Sequence, residues 1–333
     1  MRAPAFWWLP QPDALSLALS PIGFLWGAIS ERRLKQTGAR AGLPVICVGN
    51  FVAGGAGKTP AAMALAKILQ SHGKRPVFLT RGYGGSASRA GTPLRVDPAV
   101  HDARTTGDEA LLLARIAPVI VTANRVAGAH AAQMTGGDII IMDDGLQNPS
   151  LTKDFSIAIA DGETGTGNGR CIPAGPLRAP LDSQLGIIDA LIVVGAGEAG
   201  DRLAGRAKAR GVAIFRAHLR PDPEAAERLR GQRAVAFAGI GRPEKFFATL
   251  EAVGAEVMDA YSFDDHQMID AGNMQELRAS ARKHMAQLVT TEKDLARLSG
   301  VHDISGIDVL PVTLGIEDEP GFTGMMMRKI FAA

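Results

Sequence analysis

Apolar residues along this chain gather in short runs of about five, separated by longer stretches of mixed polarity with helical spacing. Runs of that length, bounded by Gly, Pro and Asp, read as buried strands. They fall at Pro44–Val48, Pro76–Thr80, Pro118–Thr122, Asp138–Met142, Ser156–Ala160, Ala190–Val194, Val212–Ala217 and Ala234–Ala238. Further runs are Glu256–Ala260, Gln287–Thr290 and Val309–Val312. Helices are predicted to begin near Lys58, Asp108, Arg242, Asp270 and Glu292. The alternation predicts an α/β fold, a mostly parallel sheet flanked by helices. A charged stretch from Arg220 to Gln232 precedes a fresh strand–turn–helix unit. The expected division is a terminal segment (1–40), a nucleotide domain (41–225) and a smaller C-terminal α/β domain (226–333) closing a cleft.

The N-terminus breaks the pattern. Ala14 to Ile29 carries no charge, contains Pro21, and is followed at once by Glu31-Arg32-Arg33-Leu34-Lys35. A spanning helix needs about 20 apolar residues, so a helix lying in one leaflet is the expectation. Trp7, Trp8 and Trp26 would sit near the headgroups, with Arg32, Arg33, Lys35 and Arg40 facing anionic lipid. A helix docked on the protein's own core and a cleaved signal peptide are the alternatives.

Composition adds limits. The 333 residues, 46% hydrophobic and 21% charged, are ordinary for a globular protein, and a net charge of +2 gives no footprint for nucleic acid. The two cysteines, Cys47 and Cys171, lack metal-ligand spacing and fit a reducing compartment.

The chemistry concentrates after the first strand. Gly54-Gly55-Ala56-Gly57-Lys58-Thr59 lies between that strand and a helix, the context of a phosphate-binding P-loop. Backbone N–H groups of Gly54, Gly55, Ala56 and Gly57 would close around phosphate oxygens at a helix N-terminus. Lys58 would hold the β- and γ-phosphates of ATP and the Thr59 hydroxyl would ligate Mg²⁺, while Pro60 suits the first helical turn. The usual pattern has glycine where this chain has Val52. The strand ending in Asp143-Asp144-Gly145 has the form of a Walker B segment, whose carboxylates would face the loop. By itself, Asp-Asp-Gly is also a common turn.

Taken together, the motifs resemble the tetraacyldisaccharide 4′-kinase (lipid A 4′-kinase) family over nearly the whole chain. They run from Val48-Gly49-Asn50 and the P-loop through Thr80-Arg81-Gly82-Tyr83-Gly84-Gly85, Gly107-Asp108-Glu109 and Asp143-Asp144-Gly145-Leu146-Gln147. Gly167-Asn168-Gly169, Pro173-Ala174-Gly175-Pro176-Leu177-Arg178, Phe237-Ala238-Gly239-Ile240-Gly241-Arg242-Pro243, Phe263-Asp264-Asp265-His266 and Thr291-Glu292-Lys293-Asp294 follow in order. The resemblance implies transfer of the ATP γ-phosphate to the 4′-hydroxyl of an acylated glucosamine disaccharide 1-phosphate. It also implies a monotopic enzyme at the cytoplasmic face of a bacterial inner membrane.

Residue roles follow from the same resemblance. Asp108 and His266 match the catalytic pair, aided by Lys58 and Asp144. Glu109 and Asp143 share the metal network with Thr59. Asn50, Arg81, Tyr83, Arg125 and Asn168 are the expected substrate-binding residues. Asp108-Glu109 would also make a good helix start by charge alone, and a lone His266 is commonly a surface or capping residue. The chain departs from the family pattern at Ala179, where a glutamate is expected, and at Asn148, where many relatives carry histidine. Two other readings remain: a P-loop kinase or ligase on a soluble small molecule, and a membrane-bound regulatory ATPase. The signature lysine that partitioning ATPases place before Gly-Gly is Ala53 here.

Overall fold

The structure is a computed structural model that describes residues 3–331 except Ala56, His266 and Gly300. The strands in chain order are β1 (Val45–Gly49), β2 (Pro76–Thr80), β3 (Leu94–Arg95), β4 (Val119–Val121), β5 (Ile139–Asp143), β6 (Phe155–Asp161) and β7 (Ala190–Val194). They continue with β8 (Ala213–Pro221), β9 (Arg233–Ala238), β10 (Glu256–Ser262), β11 (Gln287–Thr290), β12 (Ile307–Val309) and β13 (Val312–Ile316). The helices are α1 (Ala14–Leu34), α2 (Lys58–Ser71), α3 (Ala103–Thr106), α4 (Asp108–Ala114), α5 (Arg125–Gln133) and α6 (Leu181–Leu185). After them come α7 (Glu198–Lys208), α8 (Pro223–Leu229), α9 (Pro243–Ala252), α10 (Ala271–His284), α11 (Glu292–Leu298) and α12 (Glu319–Phe331).

Nine strands form one sheet in the order β13-β8-β7-β6-β1-β5-β2-β4-β3. All neighbours are parallel except the two edge pairs, β13–β8 and β3–β4. Strand β1 is central, and alternate side chains feed the two faces. Ile46 and Val48 pack with Leu65 and Leu69 of α2 and with Phe322 and Met326 of α12. Cys47 enters the opposite cluster with Leu177, Leu181 and Leu185. Full burial of one such Leu or Phe side chain stabilises by about 1.5–3 kcal/mol, which explains why parallel strands read as unbroken apolar runs. The second sheet, β10-β9-β11-β12, is wholly parallel. Its Ala234, Ala236 and Ala238 pack on Phe246 and Leu250 of α9, and Val235 and Phe237 on Met274 and Leu277 of α10.

Two expectations change. The run Val309–Val312 is not one strand. Pro311 lacks the N–H a ladder needs, and the run divides into β12 of the second sheet and β13 of the first. The sheets also divide the chain differently from a boundary at residues 226–333. After β12 the chain returns, so β13 and α12 complete the first sheet and its core.

Helix α1 has 21 residues and is long and apolar enough, by length and composition, to cross a membrane. It is nevertheless docked along one side. Ser16, Gly23 and Gly27 are its buried residues, and Ser16 Oγ donates to the Ala174 carbonyl at 2.6 Å. A Cβ on Gly23 would lie 2.8 Å from the Cys171 carbonyl oxygen, so only glycine permits this approach. Leu15, Leu17, Ile22, Phe24, Leu25 and Ile29 are left exposed, Phe24 at 81%.

Candidate active site

The candidate site residues collect where parallel strands end, as expected for ligand sites of open α/β sheets. β1 runs into the phosphate loop, β2 into Arg81–Gly85, β4 into Thr122–Arg125 and β5 into Asp143-Asp144. The loops after β9, β10 and β11 approach the same place from the second sheet. A Cβ on Gly241 would lie 3.3 Å from the Gly55 nitrogen, so the loop after β9 sits against the phosphate loop.

The phosphate loop is braced from outside. Asn50 Nδ2 donates to the Gly54 carbonyl at 3.0 Å, and the Ala53 amide donates to the Pro176 carbonyl at 2.8 Å. Val52 pairs with Leu177 and buries its side chain in the same cluster, which accounts for an apolar residue where glycine is usual. Gly57 takes the left-handed conformation (φ 81°, ψ 22°) as N-cap of α2. Among the described residues no side chain caps that helix, which leaves its first N–H groups available to an anion.

Lys58 Nζ lies 3.8 Å from Asp144 Oδ1, and Arg178 Nη1 donates to the same oxygen at 2.7 Å. Arg178 Nε also donates to the Val52 carbonyl at 3.0 Å, so one guanidinium joins the phosphate loop to the strand end. Burial by itself would raise the Asp144 carboxyl, but Lys58 and Arg178 outweigh it and hold it below the usual range. Its neighbour behaves oppositely. Asp143 is buried, and burial, Glu109 and Asp144 push it up to about 7 against the pull of Lys58 and Arg125. Its Oδ2 accepts a long 3.4 Å bond from Thr80 Oγ1, and its Oδ1 is buried with no hydrogen-bond partner among the described residues. An oxygen-seeking divalent cation would fit that charge. Among the described residues no three His, Cys, Asp or Glu side chains form a metal cage, and Mg²⁺ ordinarily takes only one or two carboxylates beside substrate phosphates.

Arg125, at the start of α5, is buried and donates through Nη1 to the Thr122 carbonyl. Its Nε is buried with no hydrogen-bond partner among the described residues, and burial lowers its pKa although Asp143 opposes the shift. Arg81 and Tyr83 are exposed on the loop after β2. That loop touches the turn before Asp108: a Cβ on Gly82 would lie 2.6 Å from the Thr106 carbonyl oxygen. Asp108 and Glu109 open α4, Asp108 buried and Glu109 partly so.

The second sheet supplies two cations that the sequence did not single out as site residues. Arg297 reaches Asp108 Oδ2 through Nε at 3.1 Å and Nη2 at 2.5 Å. Lys293 Nζ lies 3.2 Å from Glu109 Oε1 and 3.7 Å from Asp265 Oδ1. Burial would lower the Lys293 amine, but Glu109, Asp108 and Asp265 outweigh it and hold it well above its usual range. Lys293 was visible in the Thr-Glu-Lys-Asp motif, yet nothing local marks what it faces.

Asn168 goes elsewhere. Its Nδ2 donates to Ser16 Oγ and the Ala174 carbonyl, both at 3.0 Å, and its Oδ1 accepts the Arg170 amide. These bonds fasten α1 to the loop before Pro176. Ala56 and His266 lie outside the described residues. Asn148 Oδ1 accepts from Ser150 in a local turn, and Ala179 is fully buried. Both thiols are pushed up to about 11 by burial, which suits packing roles.

Similarity to known proteins extends over nearly the whole chain. Residues 15–330 match the family model described as tetraacyldisaccharide-1-P 4′-kinase. The chain is 49% identical to a tetraacyldisaccharide 4′-kinase of Bradyrhizobium sp. (strain BTAi1), with 100% of this chain and 96% of that one covered. It is 51% identical to the one from Methylobacterium sp. (strain 4-46), over 95% of this chain and 93% of that one. The crystal structure of LpxK from Aquifex aeolicus, solved in complex with ATP, shares the fold with a TM-score of 0.73. That match covers 95% of this chain and 100% of the other at 24% identity. Because the likeness runs through both sheets and the N-terminal helix alike, the chain belongs to the tetraacyldisaccharide-1-P 4′-kinase family.

Proposed function

We propose that the chain moves the γ-phosphoryl group of ATP onto the 4′-hydroxyl of a tetraacylated glucosamine disaccharide 1-phosphate, a step of lipid A biosynthesis. The observation that carries this reading is the uncapped, glycine-led N-terminus of α2, joined to Lys58 and faced by buried carboxylates. Phosphoryl transfer asks mainly for positioning and charge neutralisation. The loop amides and Lys58 bind the β- and γ-phosphates. Thr59 and Asp143, with Glu109 nearby, would hold Mg²⁺, which when bound neutralises charge on the transferring phosphate. Asp108 orients the acceptor hydroxyl, and His266 is its proposed partner in that task. The 4′-oxygen bonds to the γ-phosphorus as the bond to the β–γ bridging oxygen breaks. ADP leaves with that electron pair, and the hydroxyl proton passes to the Asp108 carboxylate. Arg81, Tyr83 and the buried Arg125 supply contacts for the acceptor and its phosphate, with Asn50 shaping the loop beside them.

Two lobes, about residues 41–221 with 312–331 and about 222–311, would form the walls of the cleft. The bare face of α1 supports a membrane-surface location, at the inner face where ATP is abundant. Arg32, Arg33, Lys35 and Arg40 would meet anionic headgroups. Full-length protein with Mg-ATP and the tetraacyl disaccharide 1-phosphate in detergent micelles should yield the 4′-phosphorylated product. Brisk ATP hydrolysis with no transfer would instead favour a regulatory ATPase. Phe24→Asp should release the protein from anionic vesicles without changing its melting temperature, since Phe24 is 81% exposed. Unchanged vesicle binding would remove α1 as the anchor.

A further inference from the structure

The ion pairs that join the second sheet to the first are of two kinds. Arg242 reaches Asp161 and Glu163, Lys245 reaches Asp161, and Arg115 reaches Glu292, with at least one partner of each pair 33% exposed or more. The Arg297–Asp108 pair is different, with side chains 5% and 4% exposed. Removing two charges from water is costly and is recovered only where geometry and additional hydrogen bonds are good. Here they are good, and they end on a site carboxylate.

The guanidinium is held from behind. Arg297 Nη1 lies 3.0 Å from Asp294 Oδ1 and also donates to the carbonyls of Gly239 at 3.2 Å and Gln267 at 3.3 Å. Asp294 is itself fixed, its two oxygens accepting the Gly239 amide at 3.1 Å and Oδ2 accepting Thr291 Oγ1 at 2.7 Å. The planar fork can therefore present only its Nε/Nη2 edge to Asp108, and both donors converge on one oxygen, Oδ2. The other oxygen, Oδ1, accepts the Glu109 amide at 2.9 Å. One helical turn earlier on α11, Lys293 draws Glu109 toward Asp265.

We propose that Arg297 is a positioning residue for phosphoryl transfer, fixing the plane and direction of the Asp108 carboxylate, with Lys293 doing the same for Glu109. The second sheet thus completes the site by orienting carboxylates that belong to the first. Catalysis then depends on α11 being seated against α4. The inference rests on the reading that Asp108 orients the acceptor hydroxyl, since a carboxylate with no part in the reaction needs no aim.

The test is steady-state kinetics of the full chain with Mg-ATP and the disaccharide acceptor in micelles. Arg297→Met should lower kcat by about 100-fold or more, the range of a positioned acid–base group, with both KM values within about threefold. Arg297→Lys keeps the charge without the fork and should recover only part of that loss. In an Asp108→Asn background, Arg297→Met should cost little further, because the two act as a unit. The same factor lost in both backgrounds, or a loss confined to KM, would overturn the positioning role. Near-normal turnover of Asp108→Asn would instead overturn the reading beneath it. Should Arg297→Met fail to fold, Arg297→Lys carries the same cycle with the same outcomes.

Discussion

The two sheets bring charge to the candidate site on opposite electrostatic plans. On the first sheet, charge is left incomplete. α2 has no side-chain cap, Asp143 Oδ1 and Arg125 Nε are buried with no hydrogen-bond partner among the described residues, and Asp143 is pushed up to about 7. On the second sheet, charge is matched: Arg297 lies between Asp108 and Asp294, and Lys293 between Glu109 and Asp265. An orphaned buried polar atom costs about 1–3 kcal/mol, so the first face is destabilised in a way that arriving phosphates and a cation would relieve. The second face costs less because its charges already have partners. Binding energy is therefore available on one side, and rigid orientation on the other.

The largest effect should come from the incomplete face. Lys58→Ala removes the ammonium proposed to hold the phosphates and should lower kcat/KM by about 10³-fold or more. The melting temperature should hardly move, because the 3.8 Å contact to Asp144 is long and Arg178 remains on that carboxylate. A large fall in melting temperature would mean that Lys58 is chiefly a structural partner, and the contrast between the faces would weaken.

A pH measurement sharpens the same contrast. An unfolded aspartate titrates near 4, whereas folded Asp143 is raised to about 7, chiefly by burial and then by Glu109 and Asp144. Between those values the folded chain holds the proton more tightly than the unfolded one. This contribution to stability is complete below pH ~4 and is lost as pH rises through ~7. Metal-free protein should thus melt at a lower temperature at pH 8 than at pH 6. Asp143→Asn should reduce that slope, and Mg²⁺ should flatten it in the wild type by stabilising the carboxylate. A slope identical in wild type and Asp143→Asn would show that the charge on this face is not what titrates.

What could be read in advance follows the same division. The incomplete face is made of contiguous motifs: a glycine loop between a strand and a helix, and a strand ending in two aspartates. Each carries its chemistry within about ten residues, and the strands announce themselves by apolar runs. The matched face joins Asp108 to Arg297 across 189 positions, and no local spacing encodes that pairing. Lys293 stood in a recognised motif, but its partners appear only when α11 packs on α4. Asn168 shows the converse. A short Gly-Asn-Gly motif reads locally as a ligand contact, and only the fold adds that its amide holds α1. The return of β13 and α12 to the first sheet was also hidden, because a strand's sequence records burial and not which sheet buries it.

The smallest expected effect is the one that separates orientation from mere docking. Arg115 and Glu292 join the same two helices, α4 and α11, as the buried pairs do, at a distance of 3.2 Å. Arg115 is 47% exposed, so solvent screens the pair, and losing it should cost at most about 1 kcal/mol. Arg115→Gln should therefore leave kcat within about twofold, since it removes docking energy without touching either site carboxylate. Compared with Arg297→Met, it alters the same helix contact without altering the aim of Asp108. If Arg115→Gln instead lowers kcat about tenfold, with normal KM values and melting temperature, catalysis responds to how firmly α11 is seated. The fork on Asp108 would then be one fastening among several, and the matched face would act through closure more than through orientation.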